Sequence, residues 1–482
     1  MRIGTGQTGH NGNTVLARVV VYRTALHDHV YGALLATIPI RRQFSFRHPP
    51  GGSRESARVR EGELIGCHDC GRVHRWRPLA RHERARCTQC GKVLYRWHAT
   101  GPAARPQSMV AVTLGAMLVY LIAQCFPIVS LELGGMTTSV TLLDAIGVLW
   151  RERMEVIAAM VFFFAIVFPA LEFTALLYVS AGLWQGRRVR GFDVCLRVVQ
   201  GARHWAMTEV FMMGVLVTAI KMTSMAKVVP HPGLFAFGAL TILATLVMRY
   251  EPRALWALGD RYAAAPAWEH AAPAAPGSAL VTCQACGLVN RSHFLHPRPA
   301  ERCARCAARL HERIPHSIMR TWALLVAAAL LYIPANVLPV MYTESVGGTE
   351  GDTIMSGVSL FWNTGSPGLA VIIFVASIAV PVLKLVSLGF LSASAQLRSR
   401  RAPAGRTRLY RVVEFIGRWS MLDIFVVTLT VALVRFHQLA TITPGPGALA
   451  FGCVVILTMV ASALFDPRLI WDPVDPNGEQ HE

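Results

Sequence analysis

The chain has 482 residues, of which 53% are hydrophobic and only 16% charged, and its 47 basic against 28 acidic residues leave a net charge of +19. Soluble domains average about a quarter charged residues, so this composition excludes a disordered scaffold, a coiled coil and a collagen-like fibre. The blocking of the apolar residues argues against a plain cytosolic enzyme. A soluble chain this basic would suggest nucleic acid, but the arginines cluster between apolar blocks with no interleaved aromatic stacking surface, and no nucleic-acid partner is expected.

In chain order, residues 1–60 lack the positive–apolar–small pattern of a cleaved signal. Their most apolar run is broken by Arg18, Arg23, His27 and Asp28, and a disordered extension is expected. Residues 61–100 hold Cys67, Cys70, Cys87 and Cys90, and residues 278–315 hold Cys283, Cys286, Cys303 and Cys306. Both modules read Cys-x2-Cys, sixteen residues, Cys-x2-Cys. Two such knuckles place four thiolates around one ion, and zinc accepts four sulfurs at about 2.3 Å. Two structural zinc ribbons are predicted, iron being the other metal this ligand set suits. Gly71, Gly91 and Gly287 follow three of the pairs, where a tight turn favours glycine.

Each module is followed by four apolar segments, near 109–129, 156–183, 205–226 and 233–248, then 322–341, 368–397, 419–434 and 448–465. The longest exceed the roughly 20 residues that cross a 30 Å hydrocarbon layer as a helix. The chain reads as an all-α polytopic membrane protein built as two tandem four-helix units, 105–255 and 316–470, joined by a linker at 256–277 and ending in a tail at 471–482. The halves are a duplication. An offset of 216 superposes the two cysteine sets; 212 superposes Pro127 on Pro339, Trp150 on Trp362 and Pro169 on Pro381; 214 superposes Trp205 on Trp419 and Glu209 on Asp423. Small drifts in offset are what short loop insertions produce. Segment 185–204 has five arginines and one acid and 398–418 seven and one, whereas 130–155 has two against four and 342–367 none against three. Positive loops stay inside, which predicts cytoplasmic termini and cysteine modules. Two units facing the same way predict pseudo-twofold symmetry about the membrane normal.

Charges inside such spans are rare and costly, and each is a candidate for function. Glu172 and Lys384 occupy one repeat position, three residues after Pro169 and Pro381, and Glu209 and Asp423 occupy another. Glu172 and Lys384 either pair as fixed glue across a pseudo-twofold bundle or line a polar path or proton relay. Gln124 and Asn336 also correspond, three residues before Pro127 and Pro339. All four prolines are expected to kink helices. No Walker loop, dinucleotide fingerprint, HExxH helix or nucleophile elbow occurs in a fitting context, so no catalytic residue is assigned and no enzyme is expected.

The second half carries Ala335-Asn336-Val337-Leu338-Pro339, Val380-Pro381-Val382-Leu383-Lys384-Leu385, Gly417-Arg418-Trp419-Ser420-Met421-Leu422-Asp423-Ile424-Phe425 and Phe465-Asp466-Pro467-Arg468. With two alternating four-cysteine ribbons, these runs resemble the paraquat-inducible protein A (PqiA/LetA-like) family of Gram-negative inner membranes, over residues 64–472. The first half departs, with Glu172 for lysine and Gln124 for Asn336. The resemblance implies a part in moving phospholipid between inner and outer membranes beside an MCE-domain periplasmic tunnel protein, supporting envelope integrity. A proton-coupled solute or ion transporter, and a non-transporting zinc-dependent anchor or regulator, are the alternatives.

Overall fold

The computed structural model describes residues 20–23, 64–77, 79–80, 83–96, 106–133, 136–223, 227–262, 279–292, 302–345, 348–365, 367–436 and 440–473. Its contacts divide the chain into two units rather than the four successive bodies of the sequence order. The cysteine modules, within Met1–Pro102 and Ala267–Glu312, form one, and the helices, within Ala103–Pro266 and Arg313–Ile470, form the other.

In the cysteine unit, the first module is built from the hairpins Leu64–Gly66 with Val73–Arg75 and Glu83–Arg86 with Val93–Arg96. The second pairs Ala279–Thr282 with Val289–Ser292 and closes with the bridge Arg302–Arg309. Trp76 and Tyr95 stack with centroids 6.2 Å apart, and the Tyr95 hydroxyl bonds both the N–H and the carbonyl of Arg77 at 2.9 Å. The modules touch. Ile65 bridges Leu288, and a Cβ on Gly66 would lie 1.8 Å from the Thr282 hydroxyl, so only glycine fits there. Val20–Arg23 pairs antiparallel with Glu83–Arg86, a strand inside the extension expected to be disordered; the remainder of 1–60 lies outside the described residues.

The helical unit contains α1 (Pro106–Cys125), α2 (Leu142–Arg151), α3 (Glu155–Val161), α4 (Phe168–Trp184), α5 (Phe192–Trp205), α6 (Thr208–Met222), α7 (Pro232–Val247) and α8 (Pro252–Asp260) in the first repeat. The second has α9 (Ser317–Val337), α10 (Ile354–Asn363), α11 (Pro367–Phe374), α12 (Val380–Gln396), α13 (Pro403–Trp419), α14 (Leu422–Leu433) and α15 (Pro446–Leu464). Among the described residues, seven helical runs are long and apolar enough to cross a membrane, or eight if the α7–α8 pair, bent by 53°, is one span. Two segments read as basic loops are instead amphipathic helices. α5 buries Phe192, Leu196, Val199 and Ala202, and α13 buries Arg406, Tyr410, Val413 and Gly417, one face at helical spacing. α8 likewise extends the first unit into the segment read as a linker.

The all-α expectation needs a second correction. In each repeat the segment after the first span folds into a hairpin, which then receives a strand from just before the fourth helix. Val129–Leu133 lies between Met136–Val140 and Lys227–Pro230. Met341–Ser345 lies between Gly348–Asp352 and Ala440–Pro444, with Arg435–Phe436 at the edge. Pro127 and Pro339 also act differently from expectation: α1 and α9 end before them, so neither kinks a helix. Their carbonyls accept the N–H of Gly233 at 3.1 Å and of Gly447 at 2.9 Å, tying the first connection of each repeat to the start of its fourth helix. A Cβ on Gly233 would sit 2.4 Å from the Pro127 carbonyl oxygen, which explains the glycine.

Pro169 and Pro381 open α4 and α12 directly after π-helical stretches, Phe162–Val167 and Val375–Ala379. Proline offers no N–H to the preceding turn, and widening that turn accommodates the loss. Tyr120 and Tyr332, 212 residues apart, donate to the carbonyls of Ile166 and Ile378 in these stretches, at 3.0 and 3.4 Å. The repeats meet where α6 packs on α14, with Phe211 edge-on to Phe425 at 5.3 Å and Gly214 making room for the Phe425 Cβ. They are not equivalent. α2 and α3 pack onto α14 and α15, where Gly452 faces Met160 and Ile157, whereas α10, the counterpart of α2, buries no side chain.

Candidate functional site

All four knuckles share one backbone design. The first cysteine N–H donates across the turn to the carbonyl five residues on, at 2.8 Å for Cys67, Cys87, Cys283 and Cys303, and its own carbonyl accepts from the residue four on. That turn needs positive φ, supplied by Gly71, Gly91 and Gly287 and, in the fourth knuckle, by Ala307 at 54°. The result brings Cys67, Cys70, Cys87 and Cys90 together, and separately Cys283, Cys286, Cys303 and Cys306, with the sulfurs of each set within 4.8 Å of one another. The contacts Cys67–Cys90, Cys70–Cys87, Cys283–Cys306 and Cys286–Cys303 are 3.4 to 3.5 Å, too long for disulfides. Four sulfurs at about 2.3 Å from a central ion lie roughly 3.8 Å apart, so the donor sets fit a tetrahedral metal. Outside the sulfurs, His74 Nε2 lies 3.2 Å from Cys87 Sγ, and at the equivalent repeat position Asn290 reaches Cys303 Sγ at 3.6 Å. Such contacts orient and tune thiolate ligands. His74 is fully buried.

In the helical unit, Glu172 on α4 is 3% exposed and pairs not with Lys384 but with Arg203 of α5, whose Nε donates to Oε1 at 2.7 Å. The other Arg203 nitrogens donate to the Tyr250 and Val247 carbonyls at 2.7 and 3.1 Å, closing the C-terminal end of α7. One guanidinium thereby clasps three helices. Gly417 occupies the Arg203 position in the second repeat, and Lys384 fills the space: its Cε and Nζ lie 3.7 Å from where a Gly417 Cβ would be. Lys384 is 1% exposed and Nζ has no hydrogen-bond partner among the described residues. Asp423 opens α14 and hydrogen bonds Ser377, which is buried in the π stretch, while its Oδ2 is buried without a partner among the described residues. Glu209, its counterpart, accepts from the Thr245 hydroxyl at 3.3 Å. Glu172 and Glu209 line one cleft of about 140 Å³ together with Phe415, Arg418 and Trp419 of the other repeat. Asn336 donates to the Tyr332 carbonyl in its own helix at 2.8 Å, and the Gln124 amide is buried without a partner among the described residues.

Two separate blocks of this chain, residues 107–259 and 318–475, match the profile of Paraquat-inducible protein A. The chain belongs to the paraquat-inducible protein A family. It is 34% identical over 425 residues to an Intermembrane transport protein PqiA of Escherichia coli (strain K12), covering 87% of this chain and 97% of that one. It is 31% identical over 423 residues to a Lipophilic envelope-spanning tunnel protein A of the same strain, covering 85% and 92%. A Probable intermembrane transport protein of Haemophilus influenzae is 29% identical over 400 residues, covering 82% and 92%. No solved structure matches.

The matched blocks of this family member are its two helical repeats; the cysteine modules fall outside them. The run Phe465-Asp466-Pro467-Arg468 is a structural clasp closing the second repeat. Asp466 receives Arg468 Nε and a terminal nitrogen at 2.9 and 2.7 Å and the Ile314 N–H at 3.0 Å, and its own N–H donates to Ser317 at 2.9 Å. Burial pushes the Asp466 carboxyl up, but the Arg468 hydrogen bond and charge with the backbone donors outweigh it and hold the group below the usual carboxylate range. Sequence reasoning missed Arg203, Arg418, Ser377 and the two tyrosines as contributors. The offset of 214 that matches Trp205 to Trp419 also sets Arg203 against Gly417, which is the signal for the exchanged clasp.

Proposed function

We propose that this chain is an integral inner-membrane subunit of an intermembrane lipid-transport system, loading or unloading phospholipid for an MCE-domain periplasmic tunnel protein and supporting envelope integrity. The cysteine modules hold structural zinc on the cytoplasmic side, where both termini also lie, and the chain performs no catalysis. The observation that carries this reading is Lys384, an ammonium buried in an apolar helix core with no counter-charge among the described residues. A buried unpaired charge costs several kcal/mol, and a protein retains one where something else completes it. A phospholipid phosphate is a fitting complement, and further polar groups come from Ser377, in the π turn that precedes α12, and from its hydrogen-bond partner Asp423 on α14. The names of the family relatives, all intermembrane transport or tunnel proteins, support the same direction of thought. With no nucleotide site in the chain, proton uptake at Asp423 or Glu209 couples the movement.

The test is complementation of a strain lacking the gene. Lys384→Ala and Asp423→Ala are expected to lose resistance to membrane stress at wild-type levels of inserted protein, and the wild-type chain is expected to co-purify with phospholipid and an MCE-domain protein. Full resistance in both variants overturns the proposal. A dependence on solutes or ions with no bound lipid favours the transporter alternative.

A further inference from the structure

The cleft at the α5–α6 break brings charges of both signs into a space walled mostly by apolar side chains. Its polar lining is Glu172, Thr208, Glu209 and Arg418. Glu172 is neutralised by Arg203. Among the described residues Glu209 accepts only the long bond from Thr245, and Arg418 lies over the Phe415 ring at 5.8 Å without an ion pair of its own. One anion and one cation therefore line the same small space and do not meet across it. At about 140 Å³ the space far exceeds the roughly 15 Å³ that one water needs. Its remaining walls are apolar, Phe173, Met207 and Met248 among them, and Phe415 and Trp419 stand exposed at its lip.

Opposite charges held apart in an electroneutral, apolar-walled cleft are complementary to a ligand with the same pair reversed. We propose that this cleft, at the interface of the two repeats, binds the headgroup of a zwitterionic phospholipid, a phosphodiester carrying an ammonium. Arg418 takes the phosphate, as a planar guanidinium does best. Glu209 takes the ammonium, against the Trp419 face. The apolar walls and aromatic lip receive the start of the acyl chains, which favours a lipid over a free soluble phosphoester. A purely anionic headgroup whose phosphate sits on Arg418 would leave Glu209 without a counter-charge, so the site discriminates. This inference rests on the lipid-transport reading and names the lipid class.

The experiment uses the full chain, purified in detergent with its metal and exchanged into mixed micelles of phosphatidylethanolamine and phosphatidylglycerol, with bound lipid counted by native mass spectrometry. The wild type is expected to retain phosphatidylethanolamine preferentially. Glu209→Gln is expected to abolish the preference, and Arg418→Gln to weaken phosphatidylethanolamine binding about tenfold, the loss of one charge-assisted hydrogen bond. Equal occupancy by both lipids in the wild type, or an unchanged preference in both variants, overturns the proposal; so does displacement of the bound lipid by free phosphoethanolamine at equal concentration. In case a variant fails to fold, a phosphatidylethanolamine bearing a photoreactive headgroup is cross-linked to the wild type. Label within 206–210 or 415–419 supports the site, and label confined elsewhere overturns it. Loss of the site with membrane-stress resistance intact sinks this inference alone, whereas preferential binding without any lipid movement in the assembled system sinks the transport reading instead.

Discussion

At Glu172, duplication has produced two solutions to one burial problem. In the first repeat an acid on the second crossing meets an arginine thirty-one residues later; in the second a lysine stands at the acid's position and a glycine at the arginine's. Arg203→Ala strands a carboxylate that is 4% exposed, and stability is expected to fall by about 3–5 kcal/mol. Thermal unfolding of the solubilised chain measures this, and replacing Glu172 with Leu in the same variant is expected to recover most of the loss. Asp466 provides a pH test. Its folded carboxyl lies below its unfolded value, so its stabilisation is complete above the unfolded value of about 3.9 and disappears as pH falls through the depressed folded one. The difference in melting temperature between wild type and Asp466→Asn is therefore expected to hold constant from pH 8 to 5 and to close below about pH 4. A gap that closes near neutral pH contradicts the assignment.

Among the elements, the cysteine knuckles were legible because metal-ligand spacing is local: four cysteines, a following glycine and a short turn specify the geometry without help from elsewhere. Strands in the outer connections were not legible. Val129–Leu133 is five residues long, and one of its partners, Lys227–Pro230, arrives about ninety residues later, so no local period reveals it. The arginine-rich segments misled for another reason. Positive charge between apolar runs reads as loop, yet the apolar residues of α5 recur at three- and four-residue steps beneath it. Proline positions were evident in sequence and their consequences were not, since Pro169 widens a turn while Pro127 follows a helix end. The contact between cysteine modules gives a prediction of its own. Gly66→Ala drives a methyl into Thr282, a β-branched residue with no rotamer to escape to, at a cost of about 1–3 kcal/mol. Metal release monitored with a chromogenic chelator during heating is expected to begin at lower temperature in this variant, and an unchanged release curve contradicts the packing.

For the whole molecule, the division into a cysteine unit and a helical unit makes metal and helix separable. Zinc analysis is expected to give two equivalents per chain, falling to one in the Cys283→Ser, Cys286→Ser double variant. Removing both by strong chelation is expected to abolish the cooperative unfolding of the cysteine unit while far-ultraviolet dichroism of the helices stays within a few per cent. Collapse of helical signal on metal loss would make the two bodies one cooperative structure. The mostly helical character, the duplication and the grouping of eight cysteines into two sets of four could be read from the chain because repeat periodicity, apolar runs and cysteine spacing act within one segment. The partner of Glu172 and the cleft at the repeat interface could not, because they arise from docking between distant helices.

The isolation of Lys384 also bears on how the polypeptide is made. An ammonium at mid-segment opposes exit from the translocon into lipid by roughly 2.5–3.5 kcal/mol. An 18-residue window within Ala370–Gln396 reaches a mean hydropathy of 2.5, and each leucine, isoleucine, valine or phenylalanine returns about 0.3–0.6 kcal/mol. That nascent helix can therefore enter the bilayer unaided, before the ribosome has finished the segments that later enclose its charge.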